Sequence, residues 1–463
     1  MGTGLAARSG GWIGLATLVA ILLLGLGLRV SEAWDGRAPV YDAQAYAAIA
    51  ANLSKGDGFT VGTAATQPSS NYSPGLPLFV AGLYEVTGGV HERLARVVLA
   101  LVGTLSVLFA YAIGRRLGRL VKNRPYEGGN SPPVVPALLG ALAVAVYPAL
   151  LEYQGMLMSE PLAATLLSGG VLATLWAWDG GWVRWLLPGA LVGALAMVRP
   201  EYLGIAFLVA LVVAARQIRR DWRSSLLRAA VFLGAALVVI APWTIRNAVA
   251  LDRFVPISTG GGQVLFAGTY LPSDGDPEKV GAEVVAENPQ LFAPKDAQRL
   301  RLEQILSRLA RARYPGMEAD QALSKMGKEQ LWDDISDEPL EYAGFVATKV
   351  GRIWSHGPRD IMRSTGWELM HWALVAFGLL GLAILAWRRC WEALLLGTIF
   401  LAITAISALL VASPRRVLVL VPLLAALVSV GAAWLTLRVV SYGRYRGDNS
   451  PLVPERPDSL SRP

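Results

Sequence analysis

The feature that most constrains this chain is a series of apolar runs, each of bilayer length. They fall at 12–30, 94–114, 134–151, 161–178, 184–200, 202–216, 227–245, 368–387, 391–411 and 416–437. A membrane span needs about 20 consecutive apolar residues, and no soluble core could hide so many. Composition agrees: only 16% of the 463 residues are charged, against about 25% in soluble domains. A disordered chain would lack the 54% of hydrophobic residues found here. The expected fold class is an all-α polytopic membrane protein with about ten transmembrane helices. The pair at 184–216 is the most interrupted, because Arg199, Pro200 and Glu201 break it. The first run follows Arg8 as a signal peptide would. It is longer than an h-region and lacks an Ala-x-Ala-type cleavage context, so it reads as a retained span.

The net charge of +8 must be read by location, since Lys and Arg concentrate on the cytoplasmic side of membrane proteins; it is poor support for a nucleic-acid partner. With the N-terminus inside, the inner loops carry Arg115, Arg116, Arg119, Lys122 and Arg124, then Arg216, Arg219, Arg220, Arg223 and Arg228, then Arg388 and Arg389. The tail adds Arg438, Arg444 and Arg446, whereas the short outer connections hold only Arg199, Arg415 and Arg416. The asymmetry puts both termini in the cytoplasm and the active side outside the plasma membrane. One cysteine, Cys390, excludes an intrachain disulfide, a Cys-based zinc site and a redox pair.

Four regions follow. Residues 1–246 form an N-terminal transmembrane module with a long first outer loop, 31–92. Residues 247–366 form an extracytoplasmic helical segment between spans 7 and 8, 367–440 a C-terminal transmembrane module, and 441–463 a polar, disordered cytoplasmic tail. The first outer loop holds two interfacial helical stretches, Tyr41 to Leu53 and Leu76 to Val86. In the larger segment, 272–285 reads as a loop, and amphipathic helix is expected from about Asp296 to Tyr314 and, with breaks, from Ala319 to Trp354.

Polar residues at span ends gather on the outer side: Asp42, Glu152, Glu160, Arg199, Glu201, Arg246, Arg415 and Arg416. A charge at membrane depth costs roughly 2.5–3.5 kcal/mol on insertion scales, so such groups pair or serve function. Each has a structural explanation as well. Asp42 could cap the helix that follows it, and Glu160 before Pro161 suits a helix start. Arg415 and Arg416 could snorkel, Arg246 could hold headgroups or terminal carbonyls, and Arg199 could pair with Glu201. Asp35 and Asp57 read as solvated acids. The 258–262 stretch, Ser-Thr-Gly-Gly-Gly, lacks the lysine of a phosphate loop, and glycine flexibility explains it. His356 and His371 read as structural, and most of the tryptophans as an interfacial belt.

Seven segments, in order, carry a resemblance: YDAQAYAAIAANLSKGDGF, YSPGLPLFVAGLY, RLARVVLALVGTLSVLFAYAIGRRL, YPALLEYQGMLMSEP, GALVGALAMVRPEYL, APWTIRNAVALDRFVPISTGGG and SPRRVLVLVPLLA. Over about residues 12–440 the chain resembles the GT-C superfamily of integral-membrane glycosyltransferases. The likeness is to the branch of the dolichyl-phosphate-mannose protein mannosyltransferases and the lipid A aminoarabinose transferase. The resemblance implies a polyprenyl-phosphate sugar donor, a glycan, lipid or protein acceptor reached from outside, and inversion at the anomeric carbon. It implies that Asp42 is the general base, since a carboxylate can take the proton of an attacking hydroxyl. Arg415, Arg416, Arg246 and Arg199 are candidates for the donor phosphate, which the planar guanidinium fits. Glu160 would bind donor or a divalent cation. Two departures stand out: Asp42 is followed by Ala43 where the protein mannosyltransferases pair two acids, and none of His91, His356 and His371 falls in a metal-site motif. A transporter or flippase for lipid-linked sugars, and a non-catalytic envelope-assembly protein, are the competing readings.

Overall fold

The computed structural model describes residues 2–36, 42–61, 69–121, 134–355 and 360–447, with side chains described from 12 to 436. Among the described residues the ordered elements are all helical, as expected where every backbone group must be satisfied without water. The first membrane module contains Gly2–Asp35 (α1), then Asp42–Ser54 (α2) and Gly75–Thr87 (α3) in the outer loop, then Glu92–Arg119 (α4). Val134–Ala145 (α5), Pro148–Gly155 (α6), Ser159–Ala177 (α7), Leu186–Val198 (α8), Tyr202–Gln217 (α9) and Trp222–Leu251 (α10) follow. The outer segment holds Gly261–Thr269 (α11), Val280–Glu287 (α12), Asp296–Arg299 (α13), Leu302–Arg313 (α14), Ala319–Asp337 (α15) and Pro339–Ser355 (α16). Thr365–Trp387 (α17), Trp391–Leu409 (α18) and Val421–Gly447 (α19) close the chain.

The chain is a multi-pass membrane protein. Six helices are long and apolar enough to cross a bilayer, or seven when α5 and α6 count as one bent span. The expected ten spans also include α7, α8 and α9, which do not pass that test of length and composition. The expected run 134–151 is interrupted: α5 and α6 meet at 42°. Arg29, buried in α1, donates to the carbonyls of Val144 and Ala145 at that break, at 3.0 and 3.1 Å. It satisfies carbonyls at the end of α5, where Pro148 has no N–H to give to Val144. Two further expectations change. The 272–285 loop contains the start of α12, and helix persists to Gly447, so the disordered-tail expectation is left with 448–463, outside the described residues. His356, Lys122 and Arg124 also lie outside them.

One apolar core runs through both membrane modules, from Leu18 to Phe232 and from Met362 to Val430. Its axis is α19: in the Pro414–Thr436 span 83% of the apolar window is buried, against 28% for the first span. Small residues allow the close crossings. A Cβ on Gly140 of α5 would sit 2.3 Å from the Ala425 carbonyl oxygen. On α8 the Gly189-x-x-x-Gly193 spacing seats the helix against α10, where added Cβ atoms would meet the Phe232 and Ala236 oxygens at 2.2 and 2.6 Å. The outer segment has a separate core, built on Phe266, Val284, Ile305, Leu306, Leu309 and Leu323. It stands over the side of the bundle where α2, α7, α8, α9 and α19 begin or end.

Candidate active site at the outer rim

Breaks in the helices create this site. α8 stops at Arg199, whose backbone is extended, and Glu201 precedes α9. The last span does not start as an α-helix: Pro414–Leu420 is a 3-10 turn, capped by the Ser413 side chain. It delivers Arg415 and Arg416 on successive positions before α19 begins. Glu160 lies in the first turn of α7, where the helix N-terminus favours a carboxylate. Asp42 opens α2.

These residues meet as one ion-pair network. Arg415 Nε donates to Glu160 Oε1 at 2.8 Å, and Arg415 Nη2 to Asp42 Oδ2 at 3.0 Å. Arg199 Nη2 lies 2.9 Å from the same Glu160 oxygen, and Arg199 Nη1 donates to Glu201 Oε1 at 3.3 Å. The Glu160 side chain is fully buried, whereas that of Asp42 is 41% exposed. Residues 42, 160, 199 and 415, far apart in sequence, are thus joined at one point. Arg416 differs from its neighbour. It makes no ion pair within 4 Å among the described residues, though Glu201 lines the same cavities, and its Nη1 is buried without a hydrogen-bond partner. A buried donor in that state is costly.

Beside the network lies a cavity of about 560 Å³. Asp42, Tyr46, Tyr72, Glu201 and Arg416 line its membrane side, and Ser258–Gly261, Gln263, Glu318 and Asp320 its outer side. Tyr46 and Tyr72 pack edge to face, with ring centroids 5.9 Å apart. Burial, followed by the Asp42 charge, raises the Tyr46 phenol well above its usual range. Burial, then the Glu303 and Asp42 carboxylates, raises Tyr72, with Arg301 opposing. The Ser-Thr-Gly-Gly-Gly stretch therefore has a place that its sequence did not reveal. Gly260 adopts the left-handed conformation, with φ 95°. Asp320 Oδ1 accepts from the amides of Gly262 and Gln263 at 2.9 and 3.2 Å. The signal available in sequence is three consecutive glycines, 260–262, in the segment that follows the seventh expected span, a composition suited to close backbone approach.

Arg246 is not brought into this network. Its guanidinium lies over the Trp243 and Phe59 rings, at 4.9 and 5.6 Å from their centroids. Nη1 donates to the Ser69 carbonyl and to Asn247 Oδ1, at 3.0 and 3.1 Å. Arg246 fastens the first outer loop to α10. His371 is also held structurally: its Nδ1 is 2.9 Å from Tyr147 Oη and its Nε2 is 3.1 Å from the Trp354 carbonyl oxygen. Among the described residues no group of three or more His, Cys, Asp or Glu could hold a metal ion. Glu160, the acid on which the divalent-cation expectation rests, is held by Arg415 at 2.8 Å and by Arg199 at 2.9 Å. Carboxylates already neutralised by a guanidinium do not suit a second cation.

The backbone path matches solved membrane glycosyltransferases. The archaeal oligosaccharyltransferase AglB from Archaeoglobus fulgidus, in complex with an inhibitory peptide and a dolichol-phosphate, superposes with a TM-score of 0.55 at 16% identity, over 98% of this chain and 53% of that one. The apo form of the Archaeoglobus fulgidus oligosaccharyltransferase gives 0.55 at 15%, over 94% and 52%. ArnT from Cupriavidus metallidurans bound to undecaprenyl phosphate gives a TM-score of only 0.41 at 16%, over 96% of this chain and 82% of that one. The chain spans about half the length of the oligosaccharyltransferases it matches. No family model and no curated sequence matches it. The fold is that of the GT-C membrane glycosyltransferases.

Proposed function

We propose that the protein is a glycosyltransferase that moves a sugar from a polyprenyl-phosphate donor to an acceptor nucleophile at the outer face of the plasma membrane, with inversion. The observation that carries this reading is the meeting of Asp42 and Arg416 on one cavity wall. An acceptor hydroxyl in the cavity can give its proton to Asp42 as it attacks the anomeric carbon. The anomeric C–O bond breaks, and its electron pair leaves with the phosphate. A sugar phosphodiester carries one negative charge and the released lipid phosphate up to two, so charge grows on the leaving group. Arg416, half-buried and with no ion pair within 4 Å among the described residues, shares the cavity wall with Glu201 and can meet that growth. An interaction that strengthens as the bond breaks lowers the barrier rather than merely tightening binding.

Arg415 acts as a positioning residue in this scheme. It fixes one oxygen of Asp42 and ties it to Glu160, whose charge also holds Arg199. Arg246 is left with the loop-fastening role, and no step passes through a metal. The dolichol-phosphate bound by the archaeal oligosaccharyltransferase is consistent with a lipid-phosphate donor. The test is to incubate the purified protein with a panel of polyprenyl-phosphate sugars and an envelope extract. Release of free polyprenyl phosphate with label appearing in an acceptor supports the proposal. Movement of intact donor between leaflets of a vesicle, with no sugar transfer, would establish the flippase alternative.

A further inference from the structure

A second surface adjoins the cavity. Residues 299–313 carry five arginines against one acid. Arg301, Arg308 and Arg311 share one face at the start of and along α14, and with Glu303 and Ser307 they line an open recess of about 540 Å³. Glu303 and Ser307 also line the Asp42 cavity, so the recess and the cavity are continuous.

The basic face is not a membrane anchor. An interfacial helix sinks its apolar side into lipid, but here that side, Ile305, Leu306, Leu309 and Ala310, is buried in the core of the outer segment. Only the charged side is left outward. Arg308 is half-exposed, with only a long 3.8 Å contact to Asp296 and its guanidinium over the Phe292 ring. At 1.5 Å rise per residue the three arginines cover about 15 Å, a spacing that suits charge repeated along a polymer. The cavity wall leading inward offers hydroxyls, amides and two tyrosine rings, the chemistry that binds sugar hydroxyls rather than apolar side chains.

We propose that the acceptor is an anionic glycan, seated on the arginine face of α14 with its reacting hydroxyl reaching Asp42. This rests on the glycosyltransferase reading for its direction, but the binding itself can be measured without transfer. The probes are fluorescent polygalacturonate and phosphomannan, with dextran as the neutral glycan, poly-glutamate as the acidic peptide and anionic lipid vesicles as the membrane surface. The full-length wild type should bind both anionic glycans, more weakly as salt rises, and at least tenfold more tightly than the other three probes. The triple substitution R301A/R308A/R311A should weaken that binding about tenfold or more. The conservative R308K/R311K should retain it within about threefold, since Lys keeps the charge. Equal binding of dextran, poly-glutamate or vesicles, or unchanged affinity in the triple variant with an unchanged melting temperature, overturns the inference. Glycan binding that behaves as expected, in a protein that transfers no sugar from any donor, would instead overturn the proposed activity.

Discussion

Arg415 and Arg246 each stand near the end of a membrane-crossing helix, and sequence treats them alike. Their surroundings differ completely. Arg415 faces two carboxylates, from α2 and α7. Arg246 faces two aromatic rings and backbone carbonyls of the first outer loop. Charge opposite a guanidinium makes an electrostatic site; rings and carbonyls make a fastener. An arginine at the rim is therefore only a candidate until its partners are known; Arg416, with no ion pair within 4 Å among the described residues and Glu201 beside it on the cavity wall, is the one proposed to receive an anion.

The contrast can be broken at several points. The largest stability effect is expected at Glu160. Replacing it with Ala leaves Arg199 and Arg415 buried with one carboxylate each, and breaking a buried pair costs about 3–5 kcal/mol. The retained Glu201 and Asp42 contacts put the expected loss at the low end. Thermal unfolding in detergent measures it, and an unchanged melting temperature would mean that the network is not structural. R416A should act on chemistry instead, lowering kcat/KM for transfer about 10²–10³-fold, as loss of a preorganised charge-stabilising donor does, with little change in melting temperature. A variant that transfers normally removes Arg416 from the site. R246A should reverse that pattern. Loss of its carbonyl hydrogen bonds and ring contacts should cost about 1–2 kcal/mol, with kcat/KM within about threefold in the folded fraction. A hundredfold loss there would return Arg246 to the donor site.

The smallest effect is a pH dependence. Burial, then the charge of Arg416, lowers the Lys349 ammonium from its ordinary 10.5 to about 8. Lys349 is buried in α16, with Nζ donating to the Gly268 carbonyl at 2.5 Å. The unfolded chain holds that proton more tightly than the folded one, so stability should rise between about pH 8 and 10.5 and be insensitive to this group below pH 8. Melting curves at pH 7, 8.5 and 9.5, compared with K349M, measure the slope; a slope kept by K349M assigns it elsewhere.

How far the site could be read from sequence follows from the same contrast. Arg199–Glu201 was visible because charge interrupting an apolar run is rare and has few explanations. Asp42 and the Arg415–Arg416 pair were visible through position and resemblance. The role of Arg246 was not, because its carbonyl partners lie 177 and 187 residues away and any backbone can supply them. Arg29 carried a readable signal, a charge inside the first span, yet its function depends on a break in α5–α6 that hydropathy does not show. The glycines at 260–262 were readable only as flexible. Their placement on the cavity wall comes from packing against α15, where a Cβ on Gly262 would lie 1.9 Å from the Asp320 carbonyl oxygen.

The most direct test is D42N, purified and assayed with the polyprenyl-phosphate sugar that the wild type consumes. Asn keeps the shape and can still bond Arg415, but it cannot take a proton. The expected result is unchanged folding and donor affinity with transfer reduced by about 10²–10⁴-fold, the range of a lost general base. Transfer at the wild-type rate would contradict the assignment of Asp42 and, with it, the cavity as the place of reaction.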